Sequence, residues 1–209
     1  MTPRVPDSDL LLVVDVQNDF LPGGALAVAQ GDAVVPVVNA LARVFAYTAL
    51  TQDWHVPGHL SFASSHLGRA PFETIELPYG PQVLWPDHCI QGTSGAELSP
   101  ALLIPQAELI VRKGYRREID SYSAFREADR HTHTGLAGYL RERGFTRVFL
   151  AGLATDFCVA YSAVDARELG FEVVVVEDAC RAIDTAGSLA AAWARMNAAG
   201  VLRVTSDRL

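Results

Sequence analysis

Short unbroken apolar runs alternate along this chain with stretches of helical spacing. Residues 10–14, Leu-Leu-Leu-Val-Val, are continuously apolar, the pattern of a strand buried on both faces. Residues 32–46 set Val34, Val37, Val38, Leu41 and Phe45 at helical intervals, with Asp32 as the expected N-cap and Pro36 near the first turn. Residues 47–52 and 109–112 read as two further strands. Residues 134–143 predict a helix capped by Thr134 and stopped by Gly144. Strand 147–151, helix 156–169, strand 171–176, helix 186–198 and strand 201–204 complete the series, with stops at Gly170 and Gly200. Residues 53–107 have no clear period and hold seven of the eleven prolines; so long an irregular stretch in a compact domain is usually functional.

The alternation predicts an α/β fold: a single-domain, doubly wound, mostly parallel six-stranded sheet with helices on both faces, spanning 1–209 without repeats or linkers. Ligands of such sheets bind beyond the carboxyl ends of the strands. Asp15 follows the first strand, Asp53 and His55 the second, Lys113 the third, and Cys158 the strand at 147–151. Four strands thus bring chemically useful side chains to one edge.

Composition narrows the classes. The 209 residues are enough for one full core, and half are hydrophobic. Seventeen Lys and Arg against 24 Asp and Glu leave a formal charge of −7, which argues against general nucleic-acid or anionic-membrane binding. Three scattered cysteines, Cys89, Cys158 and Cys180, are too few for a disulfide framework and point to a reducing, cytoplasmic setting. The N-terminal stretch is polar, and the run at 10–14 is too short for a signal peptide or a membrane span. The absence of G-x-S-x-G, H-E-x-x-H, Walker and G-x-G-x-x-G patterns removes common serine hydrolases, zincin proteases, P-loop NTPases and the usual dinucleotide enzymes.

Each candidate residue has two readings. Cys158 falls where a strand breaks at Gly152 and a helix begins near Thr155. Unpaired N–H groups and the helix dipole there lower a thiol's pKa and favour a nucleophilic thiolate; otherwise a lone cysteine is a small buried hydrophobe. Asp15 is a cap or turn residue, or a general base beside Cys158. Lys113 is a solvated strand-end charge, or a pocket cation that favours the thiolate and offsets Asp15. Asp53 and His55, two apart in extended chain, project to one side and can share an ion, with His88 as a third ligand. One carboxylate and two imidazoles suit Zn, Fe or Mn, although an isolated D-x-H is often incidental and His59 competes for the role. Asp19 reads as a turn residue, Cys89 as buried, and His131 and His133 as solvated. Phe20, Trp85 and Tyr122 are plain core, or walls of a slot for a flat aromatic ligand.

Five blocks carry a resemblance: Val-Asp-Val-Gln-Asn-Asp-Phe (14–20), Thr-Gln-Asp-Trp-His (51–55), Trp-Pro-Asp-His-Cys (85–89), Lys-Gly (113–114) and Gly-Leu-Ala-Thr-Asp-Phe-Cys-Val (152–159). In their order and spacing they resemble the nicotinamidases (pyrazinamidases) of the isochorismatase-like cysteine hydrolases. The resemblance covers residues 10–200. It implies hydrolysis of nicotinamide to nicotinate and ammonia through a cysteine thioester, often with pyrazinamide as a side substrate. Asp15, Lys113 and Cys158 fall on the family's triad. Asp53, His55 and His88 fall on its ligands for one divalent ion, Zn ahead of Fe or Mn. Phe20, Trp85 and Tyr122 match its pocket aromatics. It further implies a cis peptide before Ala154, with the N–H groups of Ala154 and Cys158 forming an oxyanion hole. The implied partner is a small-molecule amide, with no nucleic acid or membrane; the family is frequently homo-oligomeric, but no interface signal stands out. Phe157 replaces a His found in some members, and the spacing of His59 leaves its role open. The rivals are a related amidohydrolase acting on a carbamoyl or ureido substrate and a non-catalytic metal-binding member.

Overall fold

The computed structural model describes residues 6–209; the first five residues of the expected 1–209 domain, and with them most of the polar N-terminal stretch, lie outside the described residues. In chain order the elements are β1 (Asp9–Val14), α1 (Val34–Leu41), β2 (Thr48–Asp53), β3 (Thr74–Leu77), β4 (Gly80–Val83), β5 (Leu109–Lys113), α2 (Leu136–Glu142), β6 (Arg147–Leu153), α3 (Ala160–Glu168), β7 (Glu172–Arg181), α4 (Ser188–Ala198) and β8 (Leu202–Val204).

Six strands form one sheet in the order β5-β2-β1-β6-β7-β8, and every neighbouring pair is parallel. β1 and β2 are buried at every position, which is why β1 reads as an unbroken apolar run. Leu11 and Val13 face one core with Val34, Val38 and Leu41 of α1. Leu10, Leu12 and Val14 face a second core with Leu136 and Leu140 of α2, Ala163 of α3 and Met196 of α4. The two-residue period of the strands thus supplies both helix layers from one sheet. From β1 the chain steps outward through β2 to β5, then crosses back and proceeds from β6 through β7 to β8. The winding direction reverses between β1 and β6, so the crevice for a ligand opens beyond their carboxyl ends.

Several elements depart from the sequence reading. The stretch 53–107 contains the antiparallel hairpin β3–β4, paired from Thr74↔Val83 to Leu77↔Gly80. Its half-exposed four-residue strands, with Pro81 in one of them, are too short and too polar to show a period. The helix expected at 32–46 is shorter: a 3-10 turn at Gly31–Ala33 leads into α1, and Asp32 makes no side-chain cap. Thr134 acts one residue further out than expected, its hydroxyl accepting the Leu136 N–H at 3.3 Å. The helix expected from 156 opens with a π turn, Thr155–Val159, before α3 begins. β7 runs on through Glu177 and Asp178 to Arg181, past a register shift against β6. No helix among the described residues is long and apolar enough to cross a membrane.

Gly152 in β6 marks where the two central strands meet most closely. Its φ is +125°, and a Cβ there would lie 2.1 Å from the Val14 carbonyl oxygen. Gly152→Ala is therefore expected to lose roughly 2–5 kcal/mol of stability, from combined backbone strain and overpacking. Urea denaturation checks this, and a midpoint equal to that of the parent protein rules out the close approach.

Candidate active site

Asp15 leaves β1 with φ +48°, a left-handed turn that Asp tolerates better than most residues. Its main-chain N–H donates to Thr51 Oγ1 at 3.1 Å, and that hydroxyl donates to Asp15 Oδ1 at 2.5 Å. Thr51 lies in the same Thr-Gln-Asp-Trp-His block as Asp53 and His55, but its role depends on strand pairing and is invisible in the sequence. Asp15 Oδ2 faces Lys113 Nζ at 2.8 Å as an ion pair. Beyond this ion pair the oxygen has no aligned hydrogen bond among the described residues.

Lys113 ends β5 and is fully buried, contrary to the solvated reading. Its ammonium contacts Asp15, Asp53 Oδ1, the Ser121 carbonyl at 3.1 Å and Cys158 Sγ at 3.4 Å. Four acceptors surround three N–H groups. Burial alone would lower the Lys113 pKa, but Asp15, Asp53 and Cys158 outweigh it and hold the ammonium well above its ordinary value.

Cys158 sits in the π turn after β6, 6 % exposed, and lines a narrow cavity. The helix-terminus argument predicts a lowered thiol pKa. Here burial pushes the thiol well above its ordinary value; Lys113 opposes that rise, while Asp15 and Asp53 add to it. Two carboxylates and one ammonium give the cluster a net negative charge, and an ion in it would have little water around it. Asp15 is also raised, mainly by burial, against the pull of Lys113. Burial thus holds both the Cys158 thiol and the Asp15 carboxyl above their ordinary values.

Asp53 is shared between two functions. One oxygen binds Lys113; Oδ2 faces His55 Nε2 at 3.7 Å and His88 Nε2 at 3.8 Å. Burial would raise its carboxyl, but Lys113 and the two imidazoles hold it well below the usual range. The ligand atoms of Asp53, His55 and His88 lie within 4.8 Å of one another. His55 Nδ1 donates to the Gly114 carbonyl and His88 Nδ1 to the Pro86 carbonyl, both at 2.8 Å. These bonds fix each ring with its Nε2 directed at Asp53, the usual outer support of a metal-binding imidazole. Gly114, at φ +66°, is required because a Cβ would meet His55 Cε1 at 2.5 Å. Burial would lower the His55 imidazole, yet Asp53 and Asp120 hold it above its ordinary value. The position attracts positive charge, and the donor set fits a divalent ion.

A second group, His55, His59 and Asp120, is equally compact. Its members are already engaged. His59 Nδ1 accepts the Ser61 N–H at 3.1 Å and its Nε2 is 3.3 Å from the Ile119 carbonyl. Asp120 accepts from the Ser121 N–H and Gln82 Nε2, both at 2.8 Å. His59 props the His55 ring at 4.5 Å between centroids.

Phe20, Trp85 and Tyr122 all line the cavity, with Ala154, Phe157 and Cys158. Trp85 Nε1 donates to Tyr122 Oη at 2.9 Å, and Phe157 stands edge-on to Trp85 at 4.8 Å. The Leu153–Ala154 peptide is cis, as the resemblance implies. Asp19 is more than a turn residue: it accepts the Cys89 N–H at 2.7 Å and so fixes the chain beside His88. Gln17 is buried and brackets Asp53, accepting its N–H and donating to its carbonyl, both at 2.8 Å. Sequence reasoning missed Gln17, Thr51, Leu26, Asp120 and Ile183, because none carries a motif of its own. All three cysteines are free.

The profile of the isochorismatase domain matches residues 9–208. A nicotinamidase of Acinetobacter baylyi is 61% identical over 199 residues, covering 95% of this chain and 93% of the relative. The structure of an Acinetobacter baumanii nicotinamidase/pyrazinamidase superposes with a TM-score of 0.97 at 58% identity, covering 98% of this chain and 99% of the other. That of the Pyrococcus horikoshii pyrazinamidase in complex with zinc superposes with a TM-score of 0.78 at 35% identity, covering 95% and 99%.

Proposed function

The chain belongs to the isochorismatase domain family, and from that footing we propose that it is a cysteine amidohydrolase that converts nicotinamide to nicotinate and ammonia, and also hydrolyses pyrazinamide. The observation that carries this reading is the meeting of Asp15, Lys113 and Cys158 in one buried cluster, of which Cys158 lines an aromatic-walled cavity together with Asp53, His55 and His88. Residues 9–208 act as one catalytic unit. Free cysteines suit a reducing, cytoplasmic setting.

Asp53, His55 and His88 would hold one divalent ion, with zinc the first candidate by similarity to the Pyrococcus horikoshii protein. When bound, such an ion supplies a Lewis-acidic point for a ring nitrogen and positive charge next to Asp53. Trp85, Phe20 and Phe157 confine a flat ring, so that the carboxamide lies over Sγ. As Cys158 Sγ attacks the carbonyl carbon, its proton passes to Asp15 Oδ2 and the C=O electron pair moves to oxygen. The N–H groups of Ala154 and Cys158 hold that oxyanion. On collapse the C–N bond breaks, Asp15 returns the proton, and ammonia leaves a thioester. Asp15 then takes a proton from water as the water oxygen attacks the acyl carbon; the C–S bond breaks, Asp15 returns that proton to the departing sulfur, and the acid leaves as nicotinate with its own proton passing to solvent. Lys113 keeps Asp15 ionised between these transfers.

The direct test is ammonia release from nicotinamide by the purified protein. Turnover of a carbamoyl or ureido compound with none of nicotinamide would replace this reading by its rival. Removal of bound metal by chelation, verified by elemental analysis, is expected to raise KM by about tenfold or more, as loss of an outer-supported site does, while kcat changes less. An unchanged KM after removal would dismiss the substrate-capturing role.

A further inference from the structure

The turn that carries the nucleophile is tied to a wall of the cavity on another element. Asp156, two residues before Cys158, is 3 % exposed and points away from the cavity chemistry toward the loop before α4. Its Oδ1 accepts the Ile183 N–H at 3.1 Å; its Oδ2 accepts the Asp184 N–H at 2.8 Å and the Ser188 hydroxyl at 2.5 Å. One carboxylate therefore holds two N–H groups of that loop and the hydroxyl of the first residue of α4. That loop is sharply turned, with Asp184, Ala186 and Gly187 all left-handed at φ +52°, +51° and +80°. Two non-glycine residues in that region are costly and persist only where surrounding contacts determine them. Ile183, the first residue held, lines the catalytic cavity with Ala154, Phe157 and Cys158.

The size of the cavity gives this anchor a consequence. The cavity is narrow and closely walled, so the position of each wall bears on the ring it admits. The sheet side is formed by strand ends and by the buried ion-pair cluster, which is over-determined. Ile183 lies on a loop of half-exposed and exposed residues, packs against the core and is hydrogen-bonded through its N–H to Asp156.

Resting on the nicotinamidase reading, we propose that Asp156 is a positioning residue that sets the place of Ile183 as a wall of the cavity, and that this pair limits the size of the ring the site accepts. Asp156 touches no reacting atom. It determines how firmly the pocket closes on a flat amide, because each of its three hydrogen bonds must weaken for Ile183 to withdraw.

Steady-state kinetics of three variants test this with nicotinamide and a series of ring-methylated nicotinamides. Asp156→Asn keeps the shape but sets an amide N–H₂ against N–H donors; KM for nicotinamide is expected to rise about tenfold with kcat within about threefold, since the lost contacts act through binding. Trypsin is expected to cut faster after Arg181, at the edge of the released loop. Ile183→Ala is expected to raise the kcat/KM of at least one methylated analogue relative to nicotinamide by about tenfold, the usual value of one methyl in an apolar pocket. If Asp156→Asn fails to fold, Ser188→Ala removes one of the three bonds and should raise KM in the same direction. Unchanged KM in these variants, or an unchanged analogue ratio in Ile183→Ala, overturns the proposal. Absence of nicotinamide turnover by the parent protein instead overturns the nicotinamidase reading, and trypsin sensitivity of Asp156→Asn still reports on the anchor.

Discussion

Cys158→Ala should abolish ammonia release from nicotinamide, with a fall in kcat on the order of 10⁴-fold or more, the scale seen when a covalent nucleophile is deleted. The nearest groups cannot replace the sulfur. Lys113 is an ammonium held far above its ordinary value by Asp15, Asp53 and Cys158 against its burial, so it has no lone pair to offer. Asp15 is paired with that ammonium through one oxygen and is fixed by Thr51 at 2.5 Å through the other. Binding should survive, because the residues that enclose a ring, Phe20, Trp85 and Phe157, are untouched. Calorimetric titration with nicotinate is expected to give an affinity within about threefold of the parent, less than 1 kcal/mol. Stability should change little, since the substitution removes one small atom from a site where burial already opposes its charged form. Residual turnover within tenfold of the parent would show that another group attacks the amide.

Lys113→Met should be damaging in two ways at once. The ammonium is buried with two carboxylates and is their common counter-charge. Its removal leaves Asp15 and Asp53 facing each other, with an oxygen of each within 4.8 Å of the Cys158 sulfur. Breaking a buried pair by deleting one partner typically costs about 3–5 kcal/mol. In a protein of this size that corresponds to a drop in Tm on the order of 10 °C. Activity should fall with it, because Asp15 would pick up a proton to relieve the repulsion and cease to be a base. The companion substitution Asp15→Asn distinguishes the causes. Combined with Lys113→Met it should restore part of the lost stability while leaving the protein inactive. A double variant no more stable than Lys113→Met alone would mean that charge imbalance is not what destabilises the single variant.

The two predictions separate sites that look alike in the sequence. Both residues end strands, and both have an ordinary structural reading. On the proposed mechanism they differ because Cys158 would work through its own atom, whereas Lys113 would work through the charge it places among others. The same distinction explains why the local argument for a low thiol pKa does not hold. A helix terminus is a local feature and can be read from the chain, while the depth of burial and the nearby Asp15 and Asp53 come from distant segments.

What the sequence determined by itself is what repeats at short range or is bound to one residue type. The apolar runs and helical spacings are local consequences of burial, so the α/β order, the six parallel strands and the carboxyl-end location of Asp15, Asp53, Lys113 and Cys158 were legible. The hairpin at Thr74–Leu77 and Gly80–Val83 was not, because half-exposed strands need no apolar alternation. Tertiary structure alone decided which neutral-looking residues serve the site. Thr51 on Asp15, Gln17 on Asp53, the two-sided use of Asp53 and the reach of Asp156 to Ile183 all join segments far apart in the chain. A hydrogen bond depends on where two groups meet in space, and only strand pairing and loop packing bring these groups together.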